Sequence, residues 1–512
     1  MNPKIILIHP PVAKPAEPPA GIAKLSSCLK AYNINHQVID ANLEGILYLT
    51  QNTAQNNTAA DRWTLRAVKN LQRNLAVLRN IATYSNKSMY QRVVSDVNRL
   101  LKIAGKARGI DLSLADYHDG KLTPVKSSDL ICAAEKYQDN PFYPYLETRL
   151  TDALKEGPEI IGFSLNYLSQ ALCTFAMVGF IKSINPRQKI ILGGSLATSW
   201  VKLGARSDIF NGLVDEMVAG AGEQKLLELL EIKNERINYP PNYEDFFGNQ
   251  YFAPGIILPY SSSRGCYWHN CAFCPEKSEE NPYLPLPVSQ ALEELQVLTR
   301  QTNPALIHIL DNAISPALLK ALTQQPPGAP WYGFTRVTNH LADDDFCLAL
   351  KKSGCVMLKL GIESGDQEVL DRLNKGIDLP TVSAVLKSLK KAGIATYVYL
   401  LFGTPPESRE DAMKTLDFVC QNHDYIDFLN LAIFNLPSGS IEAQSLVTQD
   451  FYEGDLSLYK SFQHPQGWHR PVVRNFLENT FKRHPVVAPI VQRTPDFFTS
   501  NHAPFFVLNK NY

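Results

Sequence analysis

Three of the nine cysteines fall within nine residues, in SSSRGCYWHNCAFCPEKS (261–278), spaced Cys266-x4-Cys271-x2-Cys274. Three thiolates from one loop suit a cubane [4Fe–4S] cluster. Separate irons take the three sulfurs and the fourth iron stays open to an exogenous ligand. A structural zinc knuckle needs a fourth donor, which His269 could supply, although a loop histidine here is expected to face solvent. Chance clustering of free thiols is the third reading. The remaining cysteines (Cys28, Cys132, Cys173, Cys347, Cys355 and Cys420) are isolated, mostly on apolar helical faces, and read as core residues.

The elements around the triplet decide where it sits. GIILPYS runs into it, followed by ALIHILD, WYGFTR, CVMLKLGIES, ATYVYLLFG and DFLNLAIF. These are short apolar runs separated by amphipathic stretches such as LPTVSAVLKSLKKAG. The pattern predicts a partial (β/α)6 barrel over 255–438, and barrel chemistry lies at the carboxyl ends of strands. The triplet begins just past the first such end.

Upstream, KIILIHPP, HQVIDAN, EIIGFSLN, KIILGGS and VDEMVAGAGE alternate with helical stretches. This is an α/β pattern that predicts a doubly wound, Rossmann-like parallel sheet over 1–235. Residues 46–156, rich in Leu, Ala, Arg and Asn, read as a mostly helical insertion. The polar, aromatic, Pro-rich stretch 236–254 reads as a linker, and 439–512 as a C-terminal cap.

Composition narrows the class. At 512 residues the chain exceeds what one core fills. Fifty Lys+Arg balance fifty Asp+Glu, so net charge gives no footprint for nucleic acid or a membrane surface, although neutrality permits a local basic patch. MNPKIILIHPPV lacks the form of a secretory signal, and no stretch of about 18 apolar residues predicts a membrane span. An odd cysteine count in a large chain points to a reducing cytoplasm.

CAFC downstream of RGC resembles the cluster loop of radical S-adenosylmethionine (SAM) enzymes. The usual spacing there is C-x3-C-x2-C; here YWHN makes the first gap four residues. GFTRVTNHLADDDFCLALKKSGC, LKLGIESGDQEVLDRLNKG and YLLFGTPPESRED resemble the third, fourth and fifth strand segments of the elongator- and methylthiotransferase-like members. The resemblance spans about 255–435. It implies that Cys266, Cys271 and Cys274 hold a [4Fe–4S] cluster whose open iron takes SAM. Phe273 would lie near the adenine. Asp311, Arg336, Glu363 and Ser364 would contact the methionine or ribose part, and Gly361, Gly365 and Gly403 would allow close approach. The family's GGE run is absent. One-electron reduction of the sulfonium would yield a 5′-deoxyadenosyl radical.

Residues of about 1–45 and 157–232 resemble the cobalamin-binding domain that precedes such barrels. The likeness rests on Pro10, Pro11, Pro18, Pro19 and Gly21, on Gly162 and Ser164, on Gly193 and Gly194, and on Gly220, Gly222 and Glu223. The DxHxxG motif is missing, and DYHDGK places His118 in the insertion as a surface residue, so no protein imidazole is expected on cobalt. The implied activity is cobalamin-dependent radical SAM methylation of an unactivated carbon in a small-molecule or peptide substrate, with flavodoxin or ferredoxin as electron donor. Rearrangement, cyclisation or oxidation, with or without cobalamin, is the alternative within the family. A non-catalytic zinc or iron–sulfur binding protein is the alternative outside it. No second three-cysteine cluster and no basic RNA-binding tail suggest a methylthiotransferase.

Overall fold

Apolar runs too short for helices become parallel strands in both halves of the chain. Ile5–Ile8 (β1), His36–Ile39 (β2), Ile160–Ser164 (β3), Lys189–Gly193 (β4) and Glu216–Met217 (β5) form one sheet in the order β2-β1-β3-β4-β5, with every pairing parallel. β1 is buried along its whole length, as an unbroken IILI run requires. The chain leaves β1 for β2 on one side, while β3 returns on the other. The β1/β3 boundary is therefore a topological switch point, the place where open α/β sheets take their ligands.

The computed structural model describes residues 4–56, 61–233 and 238–509. They divide into two compact units: Met1–Ala253 with Tyr452–Leu458, and Pro254–Phe451 with Tyr459–Tyr512. The expected 235/236 junction lies outside the described residues. The stretch after it is packed onto the first unit: Tyr251 donates its hydroxyl to buried Asp40 (2.6 Å), and Tyr239 is buried beside Cys28 and Leu227. Residues 452–458 also join this unit, where Leu456 N donates to Val125 O (2.9 Å) and Ser127 N to Asp455 Oδ1 (2.8 Å).

The stretch between β2 and β3 holds the helices Ala41–Asn56, Arg62–Leu78, Lys87–Lys106, Ser127–Glu135 and Tyr143–Leu154. Two of them start on side-chain caps, Asp61 accepting from Thr64 N and Asn86 from Met89 N. A small antiparallel hairpin, Ile110–Leu112 with Tyr117–Asp119, carries His118 on its exposed side. The helix Leu168–Ile184 after β3 is buried continuously from Gln170 to Ile181, which explains its apolar sequence on every face.

In the second unit Ile257–Tyr260 (β6), Leu306–Ile309 (β7), Trp331–Thr335 (β8), Cys355–Glu363 (β9), Ala395–Phe402 (β10) and Phe428–Ile433 (β11) lie in chain order, all parallel. Among the described residues β6 and β11 are not paired, so the barrel is open. The connecting helices begin on Ser315, Asp343, Asp366, Asp378 and Ser408, each accepting a backbone N–H three residues on. Register fixes the inner face: Phe334 pairs with Lys359 and Lys359 with Tyr397, and the alternation carries Arg336 and Gly361 onto the same side. After β11 come three short antiparallel strands and the helices Arg470–Phe476, Ala488–Arg493 and Thr499–Leu508. Among the described residues no helix is long and apolar enough to cross a membrane.

Candidate active site at the carboxyl ends of the barrel strands

The cysteine loop leaves β6 through Ser261–Ser263, and Asp311, just past β7, holds that exit. Its carboxylate accepts from Ser262 N (2.7 Å), from the Ser262 hydroxyl and from Ser263 N (3.3 Å). Burial pushes the Asp311 carboxyl above its ordinary range, and these donors oppose the shift. Asp311 is thus the brace of the loop's base. Gly265 follows with φ +72°, and a Cβ there would stand 2.4 Å from Pro282 O, so the turn into Cys266 needs glycine.

Cys271 is buried, and Cys266 and Cys274 are half-buried. Burial, with the neighbouring Cys271 adding to it, pushes the Cys274 thiol up to about 11. Such a thiol becomes a ligand when a metal displaces its proton. Among the described residues no three His, Cys, Asp or Glu side chains converge as the ligands of a single ion would. Sulfurs around one zinc would stand about 3.8 Å apart at tetrahedral Zn–S distances; sulfurs on separate irons of a cubane need no such convergence. The donor set fits the cluster. His269, expected in solvent, is instead half-buried at φ +49°, with Nδ1 enclosed and without a partner among the described residues.

Arg336, at the end of β8, ties this loop to the loop after β9. Its guanidinium carbon lies 4.2 Å from the Trp268 ring centroid, Nη1 lies 3.8 Å from Cys271 Sγ, and Nη2 donates to Lys375 O. Trp268 Nε1 donates to Asn374 O (3.1 Å), and Ala272 N to Leu373 O (3.0 Å). Glu363 closes β9 at φ +71° after a register shift, which re-aims its side chain toward Lys375 Nζ (2.8 Å). Both partners are nearly buried, and the pair lies over Gly361, where a Cβ would meet Glu363 Oε1 at 2.5 Å and Lys375 Nζ at 2.9 Å. Lys375 Nζ also stands 5.6 Å from the Phe273 ring centroid. Cys271, Phe273, Arg336, Gly361 and Glu363 therefore share one neighbourhood. Trp268 and Lys375 belong to it too, and the sequence reading missed both; the adjacent RGCYW and LNKG runs were the signals available.

Ser364 and Gly365 lie just outside that cluster. The Ser364 hydroxyl is 3.3 Å from Thr415 Oγ1 and accepts from Asp366 N (3.1 Å). A Cβ on Gly365 would come within 2.6 Å of Phe418 Cβ, so this glycine lets the strand end press on the helix Arg409–Gln421. Gly403, at φ +78° after β10, donates its N–H to Glu407, which also accepts from Trp468 Nε1 (2.9 Å). Burial pushes the Glu407 carboxyl up to about 8. Between about pH 4.5 and 8 the unfolded chain has released this proton while the folded one keeps it, so stability falls as pH rises through that window. The expected loss is at most about 5 kcal/mol. Glu407→Gln keeps both acceptor contacts and is expected to flatten the slope. Urea midpoints at pH 5 and pH 8 for both proteins check this; equal slopes would contradict it.

In the first unit the expected residues other than Gly162 and Glu223 lie at the carboxyl end of the sheet. The loops after β1 and β3 are sewn together, Gln170 Nε2 donating to Pro10 O (2.7 Å) and Ser169 Oγ to Val12 O (2.8 Å), with Pro11 between. Ser164 Oγ accepts from Asn166 Nδ2 (3.0 Å). Gly194 takes φ +102°, where a Cβ would strike Leu165 O at 2.5 Å. Gly193 and Gly220 face open space, and Gly222 starts the helix Gly222–Leu229. Gly162 lies inside β3 against Leu7, and Glu223 is buried, its carbonyl near the Cys28 thiol. His9, at the tip of β1, is buried beside Asp40 with Nδ1 unpartnered among the described residues; burial lowers its pKa, which holds it neutral.

Residues 260–419 match the profile of the radical SAM superfamily. An uncharacterized methyltransferase of Pyrococcus horikoshii is 24% identical over 312 residues, 54% of this chain and 67% of the relative. The hopanoid C-3 methylase of Methylococcus capsulatus is 24% identical over 334 residues, covering 57% and 62% of the two chains. The match therefore spans about two-thirds of the length of these relatives. Among solved structures, the radical SAM methyltransferase TsrM of Kitasatospora setae, with cobalamin and a [4Fe–4S] cluster bound, superposes with a TM-score of 0.54 at 13% identity, over 90% of this chain and 82% of TsrM. That likeness is one of fold. The three-thiol loop after β6 and the open parallel barrel around it lie within the segment that matches the radical SAM superfamily, and this makes residues 260–419 a radical SAM domain, the kind of domain that works with a [4Fe–4S] cluster and SAM.

Proposed function

We propose that the chain is a cobalamin-dependent methyltransferase acting on an unactivated carbon of a small-molecule or peptide substrate. The observation that carries this reading is the β1/β3 switch point, at the carboxyl end of the sheet. Its two loops are cross-bonded, and it adjoins a row of strand ends without side chains at Gly193 and Gly220. Ligands of open α/β sheets lie at such points. The methyltransferase names of the relatives and the shared fold with a cobalamin-bound protein support it.

Together the cluster, SAM and cobalamin supply radical generation and a transferable methyl group when bound. The chain's own side chains hold and orient them. Cys266, Cys271 and Cys274 provide the sulfur ligands, and Arg336 sets a positive charge beside Cys271. Glu363 and Lys375 present a carboxylate and an ammonium that match the amino and carboxylate groups of the SAM methionine. Phe273 offers a ring to the adenine, whereas Gly403 turns toward Val473, where a Cβ would stand 3.2 Å from Val473 Cγ2. Asp311 acts through the loop base, and Ser364 through the turn that carries Glu363. Pro10, Pro11, Ser164, Gly193, Gly194, Gly220 and Gly222 would border cobalamin. Flavodoxin or ferredoxin would supply the electron, in a cytoplasm whose reducing poise suits nine free thiols.

Anaerobic reconstitution with iron, sulfide, dithionite, SAM and hydroxocobalamin tests the proposal. The expected result is SAM-dependent 5′-deoxyadenosine together with retained cobalamin absorbance. A Cβ at Gly193 would meet nothing within 4 Å, and Gly193→Phe is expected to abolish cobalamin retention while leaving the melting temperature and iron content unchanged. A protein that cleaves SAM but never retains cobalamin would reduce the proposal to a radical SAM enzyme of another reaction.

A further inference from the structure

The neutral chain is strongly basic in one place. Residues 62–106 contain six Arg and four Lys against a single acid, Asp96. The segment folds as the paired helices Arg62–Leu78 and Lys87–Lys106. Between them opens a cleft of about 320 Å³ whose walls include Arg66, Asn70, Arg73, Asn74, Arg92 and Asp96.

Asp96 does not neutralise this cleft. It is buried and already engaged, accepting from Arg66 Nε (3.1 Å) and Nη2 (2.5 Å) and from Trp63 Nε1 (3.0 Å). Arg73 and Arg92 are exposed and have no carboxylate partner among the described residues. Asn74 is 6% exposed, and its Nδ2 is buried with no acceptor among the described residues. A buried donor left unpaired is costly, and this one belongs to a residue in the wall of the cleft.

We propose that this cleft binds the phosphoryl group of a phosphomonoester or diphosphate ligand. Two planar guanidinium forks match phosphoryl oxygens, as an ammonium cluster would not. The buried Asn74 amide adds a directional donor that a merely solvated basic face lacks. At about 320 Å³ the cleft is at the lower end of small-ligand sites in size. The site stands on residues of the first unit and is independent of the radical chemistry.

Calorimetric titration of the full-length protein with inorganic pyrophosphate tests it, against potassium chloride of matched ionic strength, with adenosine diphosphate as a second arm. Saturable one-site binding of pyrophosphate is expected. Equal affinity for the nucleotide would show that the phosphoryl groups alone are read, and tighter nucleotide binding that the base is read as well; both uphold the site. The Arg73→Gln/Arg92→Gln pair, both exposed, is expected to weaken binding about tenfold or more with an unchanged melting temperature. Asn74→Leu should weaken it without altering the salt dependence. Heat indistinguishable from the chloride control, or unchanged affinity in the arginine pair, would overturn the proposal. So would an RNA oligonucleotide that binds with steep salt dependence and is not displaced by pyrophosphate, since the helices would then be a polyanion surface.

Discussion

Cys271→Ala is expected to yield a protein that folds but carries almost none of the wild-type iron, with 5′-deoxyadenosine formation reduced about a thousandfold or more, the scale of loss when one member of a unit acting together is removed. Cys271 is the most buried of the three thiols and the one that Arg336 faces. Its removal takes away one iron ligand and leaves a buried guanidinium beside an apolar methyl. Cys266→Ala and Cys274→Ala are expected to do the same through ligation alone. Cys132→Ala is the control: this half-buried thiol sits on the helix Ser127–Glu135 of the first unit, and iron content should not change. Iron and sulfide analysis with the visible spectrum reads the outcome. Wild-type protein with one zinc and no iron, or a Cys271→Ala protein with full turnover, would refute the cluster assignment.

The second large effect is expected from Gly376→Ala, a substitution that touches no ligand. Gly376 has φ +67°, and a Cβ there would stand 2.1 Å from Trp268 Cζ2. The left-handed backbone costs a side chain about 1–2 kcal/mol, and the forced repacking about 1–3 kcal/mol more. Relief requires the indole to move, which breaks its hydrogen bond to Asn374 O and removes the ring from under Arg336. Lower iron retention and weaker SAM binding are expected, with the first unit intact. Trp268→Ala in the Gly376→Ala background removes the clash. The two changes should therefore be strongly non-additive in urea denaturation. Simple additivity would mean that the indole and the glycine do not meet.

The sheets were legible because their strands are unbroken apolar runs bounded by Gly, Pro and capping residues; IILI, IIGFS and CVMLKLGIE are each strands where expected. The cysteine loop stood out because three thiols within nine residues form a local pattern. What escaped was contact across the sequence. Trp268 meets Arg336 and Asn374 only after four strands have aligned. The Glu363–Lys375 pair depends on a backbone reversal at Glu363 that no local propensity encodes. The stretch after residue 237 read as a connector because tyrosines with polar neighbours look solvated. Their hydroxyls instead find partners such as Asp40 while the rings are buried. The 62–106 helices were legible as helices, but their charge was hidden by a whole-chain sum of zero.

The return of Tyr452–Leu458 to the first unit gives the polypeptide an interleaved path, first to second to first to second. Neither half can therefore be prepared whole by one cut near residue 253, because the upstream fragment would lack the strip that lies on Val125 and Ser127. On the ribosome the upstream half must wait, nearly finished, until some two hundred further residues have emerged. Maturation of the two halves is thus coupled in time, whereas tandem domains joined by a simple tether would be released one after the other.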